Sequence, residues 1–247
     1  MLDLESVTLV AIAGVEVRSA LAALRISSSG IRFESTLLLT HEHPRFLDKS
    51  ISIVPIRHLS SHIEYNSFVL YELADFIETT HCLLVQADGY VRHPQSWDPK
   101  FLDYDYIGAP WPLSSTAYVD PFGHQQRVGN GGFSLRSKHL LTTPKRLHVE
   151  WEVNEGNFYR HMDAESYSED GNICVHNRHV YEADGCKFAP LDIAARFSRE
   201  LNVVDAPSIR RPFGFHRYGL RTGRPTKAPR LLGFRGVPTQ LDPLRIH

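Results

Sequence analysis

The stretch Gln86-Ala87-Asp88-Gly89-Tyr90 closes the apolar run 82–85 with an amide, a carboxylate and a glycine. A buried strand that delivers one acid to its carboxyl end, where the chain turns, presents a hard oxygen to a metal ion or a phosphate-bearing ligand. Side chains alternate along a strand, so Gln86 and Asp88 share one side of it. Three more groups carry polar chemistry. In Gly129-Asn130-Gly131-Gly132-Phe133 the glycines remove Cβ atoms, which allows a ligand to lie against the main chain. The Asn130 amide can both donate and accept hydrogen bonds. Ser168-Glu169-Asp170 sets two carboxylates at what reads as a helix start, and a carboxylate so mounted can take a proton from a hydroxyl. Phe213-Gly214-Phe215-His216 offers an imidazole, either as a ligand beside carboxylate and phosphate oxygens or as a ring packed among Phe213, Phe215 and Tyr218.

Strand and helix signals alternate through the elements that must hold these groups. Residues 7–13 are an apolar run of strand length; Val17, Ala20, Leu21 and Leu24 then recur at helical spacing, with a stop near Ser27-Ser28-Ser29-Gly30. Residues 33–40 and 51–55 are the next strand candidates. A long amphipathic helix is expected with Val69, Leu70, Leu73, Phe76 and Ile77 on its buried face, followed by a strand over 82–86. This order predicts an α/β fold with a mostly parallel sheet and crossover helices, whose ligands gather at the carboxyl ends of the strands. Beyond Tyr90, prolines and aromatics interrupt the pattern, and irregular, site-building structure is expected over most of 91–190, with a short helix over 137–141.

The chain has 247 residues, 42% of them hydrophobic and 22% charged, which suits one ample soluble domain or a domain with a tail. No apolar run approaches the roughly 20 residues of a membrane span. The acidic start Met1-Leu2-Asp3-Leu4-Glu5 does not read as a secretory signal, and a cytoplasmic location is expected. Cys82, Cys174 and Cys186 are odd in number and widely spaced; they form neither a zinc pattern nor a disulfide framework in the sequence. His176 and His179 could share a helical face as metal ligands, but no acid or cysteine accompanies them at matching spacing. After His216 the chain carries Arg221, Arg224, Lys227, Arg230, Arg235 and Arg245 against the single acid Asp242. A basic tail over 217–247 is expected, either a solvated extension or a contact with anionic lipid head groups or an anionic acceptor.

On these segments the chain resembles the GT-A class of nucleotide-sugar-dependent glycosyltransferases. More closely it is similar to a mainly bacterial family carrying Gln86-x-Asp88-Gly89-Tyr90-Val91, Asp103-Tyr104-Asp105-Tyr106-Ile107-Gly108-Ala109-Pro110-Trp111, Val128-Gly129-Asn130-Gly131-Gly132-Phe133-Ser134, Glu169-Asp170 and Phe213-Gly214-Phe215-His216. The resemblance implies a GT-A-like, Rossmann-like single domain over 1–216 with an irregular acceptor-side half. It implies that Asp88 and His216 hold a divalent cation, Mn²⁺ or Mg²⁺, and the donor diphosphate. Gln86 stands where such enzymes carry a second acid and would bond a ribose hydroxyl. Ala13 and Gly14, at the end of the first strand, would meet the nucleotide. Asn130, Gly131, Gly132 and Arg136 would border the donor sugar and phosphates, and Trp111 would stack on a sugar ring. Asp170 is expected as catalytic base of an inverting transfer, with Glu169 as its sugar- or acceptor-binding partner. The partners implied are a nucleotide-sugar donor and a glycan or lipid-linked glycan acceptor, with no nucleic acid. A nucleotidyltransferase, a nucleotide-sugar hydrolase and a non-catalytic carbohydrate-binding module are the alternatives on the same residues.

Overall fold

Strand β1 (Leu2–Ala13) is buried at every residue from Val7 to Ala13, the apolar run seen in the sequence. The computed structural model describes residues 1–14, 16–42, 48–114, 118–151 and 168–216. The expected basic tail, with Tyr218, lies outside the described residues. Helix α1 (Val17–Ser28) returns the chain to β2 (Ile31–Thr40), which lies parallel to β1, and β3 (Ser52–Pro55) lies parallel to β2. After α2 (His62–Tyr71), β4 (His81–Val85) joins the other side of β1, again parallel. Two later strands complete the sheet: β9 (Phe133–Ser137) runs antiparallel to β4, and β6 (Tyr106–Ile107) runs antiparallel to β9. The order is β3-β2-β1-β4-β9-β6, an α/β sheet that is mostly parallel, as the alternation of elements requires.

Alternation along β1 separates two cores. Leu9, Ala11 and Ala13 face Val17, Leu21 and Leu24 of α1 and an aromatic group, whereas Val10 and Ile12 face Phe68 and Val69 of α2. In the aromatic group Phe101 lies edge-on to Trp97 at 5.3 Å and to Phe197 at 5.3 Å, with Phe213 6.3 Å away. Phe197 ends helix α6 (Leu191–Phe197), so the late part of the chain is anchored beneath the early sheet.

The single long helix expected around Leu70 is instead two elements. Helix α2 stops at Tyr71, and a 3₁₀ turn, Leu73–Phe76, carries Leu73 and Ala74 into the same core. Lys138, at the start of α3 (Lys138–Arg146), donates from Nζ to the Ala74 carbonyl at 2.5 Å and to the Ile77 carbonyl. A cation on those carbonyls satisfies the end of the turn from outside the helix, a partner that local periodicity does not reveal.

The irregular half is built from short pieces. Strand β5 (Gly89–Val91) joins β11 (Gly214–His216) and β10 (Ser198–Arg199) in a three-stranded sheet. Strands β7 (Ala109–Pro110) and β8 (Val128–Gly129) form a two-stranded ribbon. Helix α4 (Glu169–Gly171) runs into a π-helical turn, Asn172–His176, and then α5 (Arg178–Ala183). Among the described residues no helix is long and apolar enough to cross a membrane.

Phe101 is fully buried where the sheet meets α6. Phe101→Ala is expected to cost about 3–5 kcal/mol through lost transfer free energy and the cavity left behind, read as a lowered midpoint in urea unfolding.

Candidate functional site

Strand pairing assembles the site from distant segments. In the antiparallel pairing of β4 with β9, Val85 lies opposite Phe133. The residues that follow β4, Gln86 to Asp88, therefore run beside the residues that precede β9, Asn130 to Gly132. Gln86 and Gly89 exchange both backbone hydrogen bonds at 3.1 Å, a tight turn that reverses the chain into β5. Strand β5 pairs antiparallel with β11, which sets His216 opposite Gly89. Asp88, the Asn130–Gly132 loop and His216 thus meet at the carboxyl end of β4.

At one end, His216 Nε2 lies 3.3 Å from Asp88 Oδ1 and Nδ1 lies 3.4 Å from Glu200 Oε1. Burial opposes a charge on this ring, but the bonds to Asp88 and Glu200 outweigh it and push the imidazole up to about 10. Two carboxylates around one imidazolium leave the cluster net negative, but they sit at opposite ring nitrogens, and Asp88, His216 and Glu200 do not form a group of three ligand atoms within 4.8 Å of one another. Glu200 on Nδ1 would orient the ring if Nε2 were to face a metal. A cation bound at Nε2 and Asp88 would displace the ring proton. Gln86 does not join this set. Its Nε2 donates to the Tyr65 hydroxyl at 2.9 Å, so its amide holds the first turn of α2. That turn is fixed by Ser61, whose hydroxyl accepts from the Glu64 N–H at 3.1 Å.

At the other end stand the two acids. Glu169 is buried and its Oε1 accepts from Arg136 Nη2 at 2.8 Å. Arg136 is also fully buried on β9; its Nε donates to Ser134 Oγ at 3.0 Å, and the guanidinium lies 5.3 Å from the Tyr106 ring centre. Asp170 points the other way. Its Oδ2 accepts the Gly131 N–H at 3.0 Å, its Oδ1 accepts the Gly171 N–H at 2.8 Å, and Ser168 Oγ donates to the same oxygen. Burial, with the Glu169 charge beside it, raises the Asp170 carboxyl above the ordinary carboxylate range in spite of these bonds.

The glycines set the spacing between the two ends. A Cβ on Gly131 would meet Glu169 Oε1 at 1.8 Å, and one on Gly132 would meet His216 Nε2 at 2.1 Å. The close approach expected for a ligand is thus made, at least in part, by the protein's own side chains. Asn130 takes the left-handed φ of 72° and its Oδ1 accepts from the Gly132 N–H at 3.0 Å, an arrangement asparagine favours. Its Nδ2 is buried and has no hydrogen-bond partner among the described residues.

Several expectations change in three dimensions. Arg136 is the counter-ion of Glu169, with no surface left to face a phosphate, and Glu169 is an interior anion with no free face for an acceptor. Trp111 is 3% exposed, stacked on Tyr118 at 4.4 Å and pressed against the Gly129 backbone, so it offers no open ring to a sugar. Ala13 is buried with its carbonyl held by Thr40 Oγ1 at 2.8 Å, and a Cβ on Gly14 would meet the Leu59 carbonyl at 2.6 Å. The end of β1 is therefore covered by the chain around Leu59. His176 and His179 share no cluster of three metal-ligating groups among the described residues. Tyr65 and Glu200 were missed by the sequence reading: Tyr65 sits within an ordinary helix pattern, and Glu200 belongs to no motif.

Arg136→Met leaves Glu169 charged and unpaired in the interior, and is expected to destabilise by about 3–5 kcal/mol. The double variant Arg136→Met/Glu169→Leu should recover most of that loss in chemical unfolding. Equal instability of the single and double variants would show that the pair does not act as a unit.

The fold is similar to that of the galactosyltransferase LgtC, solved in complex with donor and acceptor sugar analogs. The likeness has a TM-score of 0.54 at 12% identity, covering 85% of this chain and 86% of that one. An active-site mutant of LgtC gives a TM-score of 0.51 at 11% identity over the same shares. At these identities the likeness establishes the fold alone, which is GT-A. No curated protein sequence matches the chain significantly. A family model described as "Protein of unknown function (DUF5672)" matches residues 49–216, the span that holds Asp88, Asn130–Gly132, Asp170 and His216, and the chain belongs to that family.

Proposed function

We propose that this protein transfers a sugar from a nucleotide-activated donor to a glycan or lipid-linked glycan acceptor. One observation carries the reading. On a GT-A fold, the Gly131–Gly132 step sets a raised carboxyl, Asp170, on one side and the Asp88–His216 pair on the other, at the carboxyl end of a buried strand. The two halves match the two demands of sugar transfer. An acceptor hydroxyl must lose its proton as it attacks the anomeric carbon, and charge that develops on the departing diphosphate must be neutralised.

In this assignment Asp88 and His216 would hold Mn²⁺ or Mg²⁺, with Glu200 orienting the ring. When bound, that cation supplies positive charge to the diphosphate. Asn130, whose buried Nδ2 has no hydrogen-bond partner among the described residues, would donate to the donor sugar. Asp170 is the base: it takes the acceptor hydroxyl's proton as that oxygen bonds to the anomeric carbon and the nucleoside diphosphate leaves from the opposite face, which inverts the centre. Its raised carboxyl suits it to that task at neutral pH better than an ordinary aspartate.

A thermal-shift screen of nucleotide sugars with and without Mn²⁺ tests donor and cation together, because selective binding to the native state raises the melting point. At least one nucleotide sugar should stabilise the protein, more so with Mn²⁺; a flat response across the screen would sink the proposal. Asp88→Ala should weaken the Mn²⁺-dependent part of that shift, and an unchanged metal titration would remove Asp88 from the site.

Asp170→Asn is expected to lower transfer by at least about 10²-fold while leaving donor binding nearly intact. Relative to the wild type, the same substitution should gain in melting temperature between acid and neutral pH, on top of the fixed cost of setting an amide NH₂ against groups that donate to Asp170. A carboxyl whose folded value is raised gives stability that is fully present below the ordinary carboxylate range and lost as pH climbs through the raised value. The variant lacks that loss, so this gain should vanish in acid. The anomeric configuration of the product, read by NMR, should be inverted; retention would assign Asp170 a role other than base.

A further inference from the structure

Away from the cleft, one other cluster among the described residues gathers side chains of metal-ligating type. Asp105 precedes β6, His139 lies in the first turn of α3, and Cys186 lies between α5 and α6. A carboxylate oxygen, a ring nitrogen and a sulfur from these three residues all lie within 4.8 Å of one another. His139 Nδ1 is 3.8 Å from Asp105 Oδ1 and 3.9 Å from Cys186 Sγ. Across the ring, Nε2 is 3.0 Å from Asp184 Oδ2, an oxygen also held by Thr143 Oγ1 at 2.9 Å and by Arg146.

This second contact decides the tautomer. An ionised carboxylate only accepts hydrogen bonds, so the 3.0 Å contact with Asp184 Oδ2 favours the ring proton on Nε2 over acceptance from Arg146 Nη2, which lies 3.5 Å away. The Nδ1 lone pair is then turned toward the Asp105 carboxylate and the Cys186 sulfur. A carboxylate oxygen that also accepts from Ser137 Oγ, a ring nitrogen and a thiol sulfur, within 4.8 Å of one another and with a carboxylate behind the histidine, form a set that a cation can draw together once the thiol gives up its proton. Cys186 is buried, the Asp105 side chain is 17% exposed and the His139 side chain 44% exposed. One flank of the cluster is therefore open to solvent.

We infer that Asp105 Oδ1, His139 Nδ1 and Cys186 Sγ form a zinc site, with Asp184 positioning the histidine and solvent completing the coordination. The ligand types choose the metal. A thiolate with imidazole and a single carboxylate suits Zn²⁺, whereas Mn²⁺ and Mg²⁺ favour oxygen ligands. Binding releases one proton, from the Cys186 thiol, as the S–Zn contact forms. The site ties three segments together: the start of β6, the start of α3, and the α5–α6 connection. That connection already meets the β6 segment through Asp105 N–H on the Lys187 carbonyl at 2.7 Å and Lys187 N–H on Asp105 Oδ2 at 2.8 Å. Zinc here clamps the half of the domain that carries α4 and its acids, and the inference stands whether or not the chain transfers sugars.

The full chain, stripped with a chelator and then titrated with zinc chloride, tests the site. The wild type should take up a zinc equivalent that raises its melting temperature by about 5–10 °C at saturating metal. Cobalt in its place should give a near-ultraviolet thiolate charge-transfer absorption. Cys186→Ser should lose both signals. His139→Asn, at a half-exposed position, should weaken zinc binding by at least about 10-fold and decides the matter if Cys186→Ser does not fold. Asp88→Ala should keep the part of the zinc response that His139→Asn loses. No stabilisation of the wild type, an undiminished response in His139→Asn, or loss of that part in Asp88→Ala would each overturn the assignment.

Discussion

The buried pair of Arg136 and Glu169 is the interaction on which the site's geometry rests. Arg136 belongs to the sheet and Glu169 to the short helix that carries the second acid, and the two meet at 2.8 Å with both side chains out of water. A charge in such a place is tolerated only when paired, so each fixes the other. The pairing has a directional consequence. With Glu169 drawn inward to the guanidinium, its neighbour Asp170 is turned to the Gly131 N–H and lies beside the loop that borders the cleft. Two adjacent acids thus take different tasks. One completes an interior ion pair, and the other, half-buried, holds the Gly131 N–H with a raised carboxyl.

Three glycines set the distances between the acid pair and the histidine. Gly131 has no room for a methyl group against Glu169, Gly132 has none against His216, and Gly89 is closed in by the Gly132 carbonyl and the His216 ring. Any side chain at these positions would separate the acid pair from the histidine. The loop is rigid for a second reason: Asn130 adopts a left-handed backbone and ties its own amide oxygen to the N–H two residues on. The histidine end answers electrostatically. Asp88 and Glu200 flank one imidazolium, which leaves the cluster net negative.

Much of this organisation was legible in the chain. The apolar run ending in Asp88, the helical spacing from Val17 to Leu24 and the strands at either side define a parallel α/β sheet because periodicity encodes which face is buried. The glycine block, the acid pair and the late histidine were found as segments, since each is a local cluster of unusual residue types. What they contact was not legible. Arg136 and Trp111 read as ligand-facing because both residue types serve that purpose, yet the register of β9 and the Tyr118 stack commit them to the interior. The short 3₁₀ turn after Tyr71 was hidden because the group that satisfies its end, Lys138, comes from α3.

The sequence by itself determined the element types, the strand that ends in an acid, and the residues with chemistry to offer, all from short-range pattern. The tertiary structure alone decided the pairing of Asp88 with His216, the inward turn of Glu169 and the outward turn of Asp170. It also decided the meeting of Asp105, His139 and Cys186. The physical reason is that contacts between residues far apart in the chain follow from strand register and core packing, which are collective properties of the whole sheet. A one-residue change of register would exchange the faces on which these groups lie, and no local stretch of sequence fixes that register.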